Sequence, residues 1–231
     1  MAAAWIGFAG GVIAAVISAV VALRQTRLSE RLTRLDHELE AQTQAEAVLK
    51  RYREPLAAAA FDLQSRLYNI IRLDFFRIHG DGSGRAEEAW KTTLFRLAQY
   101  FGWTELLRRE IQFLSFPEDE ETRRVAHLQS EISKRFLTYE HGPALMIWGD
   151  EQRAIGELMI VEEYDKVLCM GYAKFQAHCD DEFVTWHQRL RTELGAEPAQ
   201  ERMREVQHLL CELVETLDPR RLRYAEDLER A

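Results

Sequence analysis

The sequence predicts an all-α protein with a single N-terminal transmembrane helix, a helical stalk and a cytoplasmic helical bundle. An uncharged run near the N-terminus has the length of a membrane span, and apolar residues elsewhere recur at spacings of three and four. Residues 167–175 fit a strand as well as a helix. Elsewhere no stretch in which apolar and polar residues alternate is long enough to predict a sheet. The expected units are the transmembrane helix 1–23, the stalk 24–53 and the bundle 54–231.

The N-terminal run predicts a membrane anchor. Residues 2–23 carry no charge, and as a helix they would be about 33 Å long against a hydrocarbon core of about 30 Å. A cleaved signal peptide is the alternative, but no basic residue precedes the run and the run is too long. Four arginines follow it, Arg24, Arg27, Arg31 and Arg34. The positive-inside rule therefore predicts a single-pass membrane protein with its N-terminus outside and its C-terminal domain in the cytoplasm.

Small residues along the predicted span indicate self-association. Gly7, Gly11 and Ala15 recur every four residues, and the two glycines form a GxxxG pattern that lets a second helix backbone approach closely. Alanine and glycine are also common in membrane helices that do not associate. We expect a homo-oligomer, with this face as the contact.

The stalk carries a short leucine seam. Leu28, Leu32, Leu35 and Leu39 follow one another at spacings of four, three and four, as in a coiled coil. Gln42 and Glu46 occupy the next two core positions, so the seam ends early and needs a partner stalk or the globular domain to cover it. The net charge of +2 over residues 24–53 suits a surface of anionic headgroups. Pro55 is expected to end or kink this helix.

The remaining chain has the size and composition of one folded domain. Residues 54–231 hold 23 basic and 33 acidic side chains, and this net negative charge argues against a nucleic-acid partner. The predicted helices after the one that follows Pro55 are 86–116, 118–137, 150–160, 180–194 and 198–217, followed by a short charged tail helix. Acids at the start of 118–137 suit the positive end of a helix dipole.

The sequence predicts neither a metal nor a cofactor. The three cysteines, Cys169, Cys179 and Cys211, are far apart and fit a reducing compartment rather than a disulfide framework. His178, Cys179, Asp180 and His187 are ligand types without the spacing of a zinc site, and Glu205 with His208 lacks the second copy that a di-iron site needs. The motifs GxxxxGK[ST], GxGxxG, GxSxG and HExxH do not occur.

Five polar residues on apolar helices are candidates for a ligand site. They are Asp62, Arg66, Asn69, Arg153 and Glu157. Because buried polar groups need partners, one interpretation pairs the acids and arginines four residues apart and lets the asparagine hold a loop. The other places them around a ligand cleft. The basic pair Arg108-Arg109 is explained by a solvated helix face, with an anion site as the alternative.

Three strings resemble a family of predicted helical proteins. They are DLQSRLYNI at residues 62–70, AQYFGWTEL at 98–106 and EQRAIGELM at 151–159. The resemblance covers roughly residues 52–190. It implies a helical fold and transfers no activity and no site residue.

These observations favour a non-enzymatic interaction or signalling module that is anchored in the membrane and self-associates through its span and stalk. Its cytoplasmic domain would bind a protein partner or a small anionic ligand. The alternative is a membrane-tethered enzyme, acting on a small anionic or membrane-associated substrate in a cleft near Arg66, Asn69, Arg153 and Glu157; its catalytic residues are unknown. A raised carboxylate pKa in a closed pocket favours the enzyme, whereas fully paired charges favour the binding module.

Overall fold

The computed structural model describes residues 2–80, 84–111, 120–163, 166–194, 197–224 and 228–231, without the side chains of residues 2–23 and of several stalk positions. The helices are α1 (Ala2–Arg72), α2 (Phe75–His79), α3 (Ala86–Ile111), α4 (Glu120–Leu137), α5 (Gly149–Leu158), α6 (Tyr172–His178), α7 (Val184–Glu193) and α8 (Glu197–Leu217). The described chain is mostly helical, which confirms the predicted all-α class.

A short hairpin interrupts the helices between α5 and α6. Its strands are β1 (Ile160–Glu163) and β2 (Lys166–Cys169), which pair antiparallel with Ile160 opposite Cys169. The open question over residues 167–175 is thus settled in two parts, because the segment begins in a strand and ends in α6. The hairpin is too small to change the helical class.

The core lies where the C-terminal part of α1 packs against α3 and α8. On its other sides α8 contacts α4, and α3 contacts α5 and α7. Fully buried aliphatic side chains fill the space between these helices, among them Leu56, Leu63, Leu94, Leu210 and Val214. Apolar burial of this kind stabilises the bundle more than the helix propensity of any one segment.

The first helix does not end at Pro55, because α1 continues through this proline to Arg72. Proline removes one backbone donor and disfavours a helix, but the flanking turns are held by packing. Leu49 and Tyr52 are buried in the core before Pro55, and the Tyr52 hydroxyl donates to Oε1 of Glu110 at 3.2 Å. The core therefore begins about one turn and a half before the proline.

Two further expected helices differ from the structure. Residues 179–183 form turns, so the predicted helix 180–194 begins only at Val184. The expected tail helix is absent from the described residues after Leu217. The carboxylate of Asp218 accepts the backbone N–H groups of Leu222 and Arg223, and Arg221 has a positive φ of 51°. A turn held in this way competes with a helix and directs the tail back onto α8.

Over the part of the chain whose side chains the structure describes, no helix is both long enough and apolar enough to cross a membrane. The predicted span at residues 2–23 forms the helical beginning of α1, but its side chains lie outside that part. The proposed contact residues Gly7, Gly11 and Ala15 therefore lie outside it as well.

Candidate functional site

A groove of about 590 Å³ opens between α3, α4 and the beginning of α5. This is the volume of a small-molecule binding site. The lining residues from α3 are Tyr100, Phe101, Thr104, Glu105, Leu107 and Arg108. Those from α4 are Ala126, Gln129, Ser130 and Ser133, and those from α5 are Gly149, Gln152 and Arg153. The lining thus combines apolar surface with a small number of polar groups.

Close packing of α5 on α3 forms one wall of the groove. A Cβ atom added at Gly156 would lie 2.7 Å from the carbonyl oxygen of Phe101, so only glycine allows this approach. The opposite wall, α4, buries Val125, Leu128 and Ile132 and packs against α8. The groove remains between the two walls, and across it Gln129 Nε2 approaches Thr104 Oγ1 at 3.4 Å.

The carboxylate of Glu105 lies in the groove and is only 3% exposed. Arg108 donates to it from Nε at 2.6 Å and from Nη2 at 2.7 Å, and Arg109 Nε donates at 2.7 Å. Burial acts to raise the pKa of Glu105, but the hydrogen bonds and charges of the two arginines outweigh it and the pKa is lowered. Glu105 is therefore ionised and fully paired at neutral pH.

Tyr100 supplies a polar group of a different kind. Its side chain lines the groove and is buried, and its hydroxyl makes no hydrogen bond of acceptable geometry. Burial raises the pKa of Tyr100 well above its ordinary value, and the nearby Thr104 hydroxyl opposes this only in part. A buried hydroxyl without a partner costs free energy, so a polar ligand atom in the groove would relieve that cost.

Arg153 brings one exposed positive charge to the rim of the groove. Arg153 is 60% exposed, and its Nη1 lies 3.6 Å from Oδ1 of the exposed Asp150, a separation that makes a weak ion pair. Glu157 is paired with Arg109 across the α3–α5 interface at 3.3 Å. The ion pair expected between Arg153 and Glu157 is thus replaced by two others, because the two side chains point to different neighbours.

The other three predicted site residues lie on α1. Arg66 is buried, donates to Thr93 Oγ1 at 3.0 Å and stacks 3.9 Å over the ring of Phe75. Burial, with the nearby Arg96, lowers the pKa of Arg66 to about 10. Asp62 does not form the expected ion pair with Arg66; its backbone carbonyl accepts from Arg96 at 3.0 Å. The carbonyl of Asn69 accepts from the backbone of Leu73 at 3.1 Å at the end of α1.

The structure does not bring the five predicted residues together. Arg66 contacts α3 at Thr93, whereas Glu157 contacts it at Arg109, and these positions are about 24 Å apart along the helix. Of the five, only Arg153 lines the groove. Tyr100 and Glu105 were not among the site residues predicted from the sequence. Glu105 precedes Arg108 and Arg109 by three and four residues on an apolar helix, and this spacing was a signal for a buried charge cluster.

Comparison with protein-family models, curated proteins and solved structures gives no match to this chain. Its function is therefore inferred from its own geometry.

Proposed function

We propose that this protein is a single-pass, membrane-anchored helical signalling module whose cytoplasmic domain binds a small, partly apolar anionic ligand. The binding site is the groove between α3, α4 and α5. The chain self-associates through its membrane span and its stalk. A ligand in the groove contacts both α3 and α4. Its binding therefore stabilises the arrangement of the bundle in which these two helices line the groove together.

The observation that carries this proposal is that Tyr100, whose buried hydroxyl has no hydrogen-bond partner, lines a groove of about 590 Å³. Apolar side chains, among them Phe101 and Leu107, provide contact for the body of a ligand. Arg153 at the rim provides an attractive charge for an anionic group. A buried hydroxyl that can donate a hydrogen bond, an apolar wall and an exposed arginine together suit a ligand with an apolar body and an anionic group.

The state of Glu105 favours a binding module over an enzyme. A general acid or base needs a pKa near neutrality, which burial without a paired charge would produce. The pKa of Glu105 is lowered instead, and both of its oxygens accept from arginines. A permanently ionised, paired carboxylate positions its neighbours and does not transfer protons at neutral pH.

Exposed leucines on the stalk support self-association. Leu28, Leu32 and Leu35 are 58%, 60% and 53% exposed in the single chain. They lie on one helical stripe whose spacing matches a coiled-coil seam. Covering them with a second stalk would remove this apolar surface from water and would extend a contact that begins at the glycines of the predicted span.

The proposal is tested with 1-naphthyl phosphate and its uncharged counterpart 1-naphthol, by titration calorimetry on the full chain in detergent. We expect saturable one-to-one binding of the phosphate and weaker binding of the naphthol. Arg153→Ala should weaken phosphate binding about three- to tenfold and leave naphthol binding unchanged. Tyr100→Phe should weaken binding of both, by the loss of one hydrogen bond.

The matched control is Arg204→Ala, which removes an arginine that pairs with Glu201 on the exposed face of α8, away from the groove. It should bind as the wild type does. Equal losses in Arg153→Ala and Arg204→Ala would contradict a site in the groove. Release of naphthol from the phosphate during incubation would identify a hydrolase and contradict the binding module.

A further inference from the structure

A cluster of metal-ligating side chains lies where the turn between α6 and α7 meets α3. The Cys179 sulfur, a carboxylate oxygen of Asp180 and a ring nitrogen of His187 all lie within 4.8 Å of one another. Cys179 and His187 are buried, whereas Asp180 is exposed and leaves the cluster open to solvent on one side. The cluster is separate from the groove between α3, α4 and α5.

His187 provides a second, independent observation. Its Nε2 atom is buried and forms no hydrogen bond, and the residue as a whole is only 5% exposed. A buried ring nitrogen without a partner costs free energy in the same way as any other unsatisfied polar group. The Oε1 atom of Glu87 on α3 lies 3.6 Å from this nitrogen, too far for a hydrogen bond.

The chemistry of these side chains selects among metals. One thiol, one imidazole and two carboxylates form a mixed soft and hard set that suits zinc rather than magnesium or calcium. Zinc takes ligands at about 2.0–2.3 Å in a tetrahedron, so the ligand atoms of a bound site are about 3.5 Å apart. The ligand atoms of Cys179, Asp180 and His187 lie within 4.8 Å of one another, so they need to approach by at most about 1.3 Å, which rotamer changes in a turn can supply.

Lys91 shows that this position already attracts a cation. Its Nζ lies 2.6 Å from Oδ2 of Asp180 and 3.8 Å from Oε1 of Glu87. Lys91, together with Arg191 at 3.0 Å from Oε2 of Glu87, balances the two carboxylates, but the Nε2 of His187 has no hydrogen-bond partner. A divalent cation would serve both carboxylates and the imidazole, and the side chain of Lys91 is long enough to turn towards solvent.

We infer that Cys179, Asp180 and His187 form a zinc site, with Glu87 or a water molecule as the fourth ligand. On coordination the Cys179 thiol transfers its proton to solvent and binds the metal as a thiolate, and Lys91 leaves Asp180. The metal then links the α6–α7 turn to α3, in addition to the burial of Phe183, and replaces the ion pair between Lys91 and Asp180.

The test is titration of the reduced full chain in detergent with Co²⁺ and with Zn²⁺. The absorption spectrum of bound Co²⁺ identifies its ligands. The wild type should therefore show a thiolate-to-cobalt charge-transfer band and the intense visible bands of a tetrahedral site. Addition of zinc should abolish both. Zinc affinity should fall at least about tenfold in Cys179→Ser and in His187→Ala. Matched controls are Cys211→Ser and His178→Ala, outside the cluster, which should retain the wild-type affinity.

The wild-type cobalt spectrum needs no variant, so it decides the question even where a substitution prevents folding. Absence of the thiolate band at saturating Co²⁺ would overturn the site. Equal zinc affinity in Cys179→Ser and Cys211→Ser would overturn it as well, because binding would then be to scattered surface groups. Neither result depends on ligand binding in the groove.

Discussion

Glu105 and Arg108, one turn apart on α3, form a bidentate ion pair whose carboxylate is buried and whose guanidinium reaches solvent. Arg109 adds a third hydrogen bond to the same carboxylate. The two arginines balance the charge of the buried carboxylate, and the bidentate pair fixes Arg108 at the wall of the groove. The charge distribution that a ligand meets is therefore set by the helix itself.

The lowered pKa of Glu105 predicts a pH dependence of stability. A carboxyl whose folded pKa lies below its unfolded value contributes stability that is complete above the unfolded pKa, about 4.5, and is lost as the pH falls through the folded pKa. Unfolding of the full chain in urea should show a drop in stability below about pH 4.5. In Glu105→Gln this drop should be smaller, and at pH 7 the variant should be less stable by about 1.5–3 kcal/mol.

Part of the acid sensitivity should remain in Glu105→Gln, because hydrogen bonds from Lys91 and from the backbone also lower the pKa values of Asp180 and Asp218. The control Glu201→Gln, at an exposed ion pair on α8, should change stability by less than about 0.5 kcal/mol. An unchanged pH profile in Glu105→Gln would refute the assignment of Glu105 as a buried, paired carboxylate.

Arg202 on α8 is predicted to be the most sensitive charged position of the bundle. Its fully buried guanidinium donates to the backbone carbonyls of Arg135 at 2.6 Å, Thr138 at 2.7 Å and Gly142 at 2.7 Å, and its Nε donates to that of Ala144 at 3.0 Å. These carbonyls belong to the end of α4 and the loop after it, where helix carbonyls lack partners. Arg202→Met should reduce the free energy of unfolding by about 3–5 kcal/mol.

The neighbouring Arg204→Ala is the matched control for this prediction, and it should change the free energy of unfolding by less than about 0.5 kcal/mol. Urea unfolding followed by circular dichroism measures both. A loss below about 1 kcal/mol in Arg202→Met would show that the loop finds other partners for its carbonyls.

Gly156 is predicted to set the spacing of α3 and α5. A Cβ at this position would lie 2.7 Å from the Phe101 carbonyl oxygen and 3.0 Å from Glu105 Cβ. Gly156→Ala should therefore push the helices apart and destabilise the bundle by about 1–3 kcal/mol. Gly149→Ala is the control on the same helix, where nothing lies within 4 Å of the added atom, and it should be neutral or slightly stabilising. Thermal unfolding of both variants decides the matter, and equal effects would show that the close approach is not the cause.

Self-association is predicted to depend on Gly7 and Gly11. Replacing both by isoleucine puts side chains where two helix backbones would meet, and association should weaken by about 1–3 kcal/mol, roughly 5- to 150-fold. A membrane reporter of helix dimerisation measures the effect. The same replacement at Val12 and Val16, off this row, should have a smaller effect. If all four positions respond alike, bulk alone explains the loss and the glycine face is not the contact.

The helices were predictable because each presents apolar residues at three- and four-residue spacing. The prediction 198–217 agrees closely with α8 for this reason, and Glu120 and Glu121, two of the acids expected at the start of the predicted helix 118–137, lie in the first turn of α4. The helix does not end at Pro55, because burial of Leu49 and Tyr52 outweighs the loss of one backbone hydrogen bond. Local rules were thus reliable where tertiary packing agreed with them.

The site was less predictable than the fold, because amphipathic spacing does not say which helix covers which face. Arg202 looks in sequence like any arginine on a charged helix, yet it is fully buried. Tyr100 and Glu105 become a site only because α4 packs against α8 and leaves one side of α3 open. Cys179 and His187 converge through an irregular turn whose geometry no fixed ligand spacing describes.

Amide hydrogen exchange on the full chain, with and without 1-naphthyl phosphate, locates the bound ligand. We expect slower exchange confined to residues 100–108, 126–133 and 149–153, and weaker protection in Arg153→Ala when both proteins are compared at a ligand concentration near the wild-type Kd. Protection confined to the region around Arg66 and Thr93, or none at saturation, would contradict a ligand site between α3, α4 and α5.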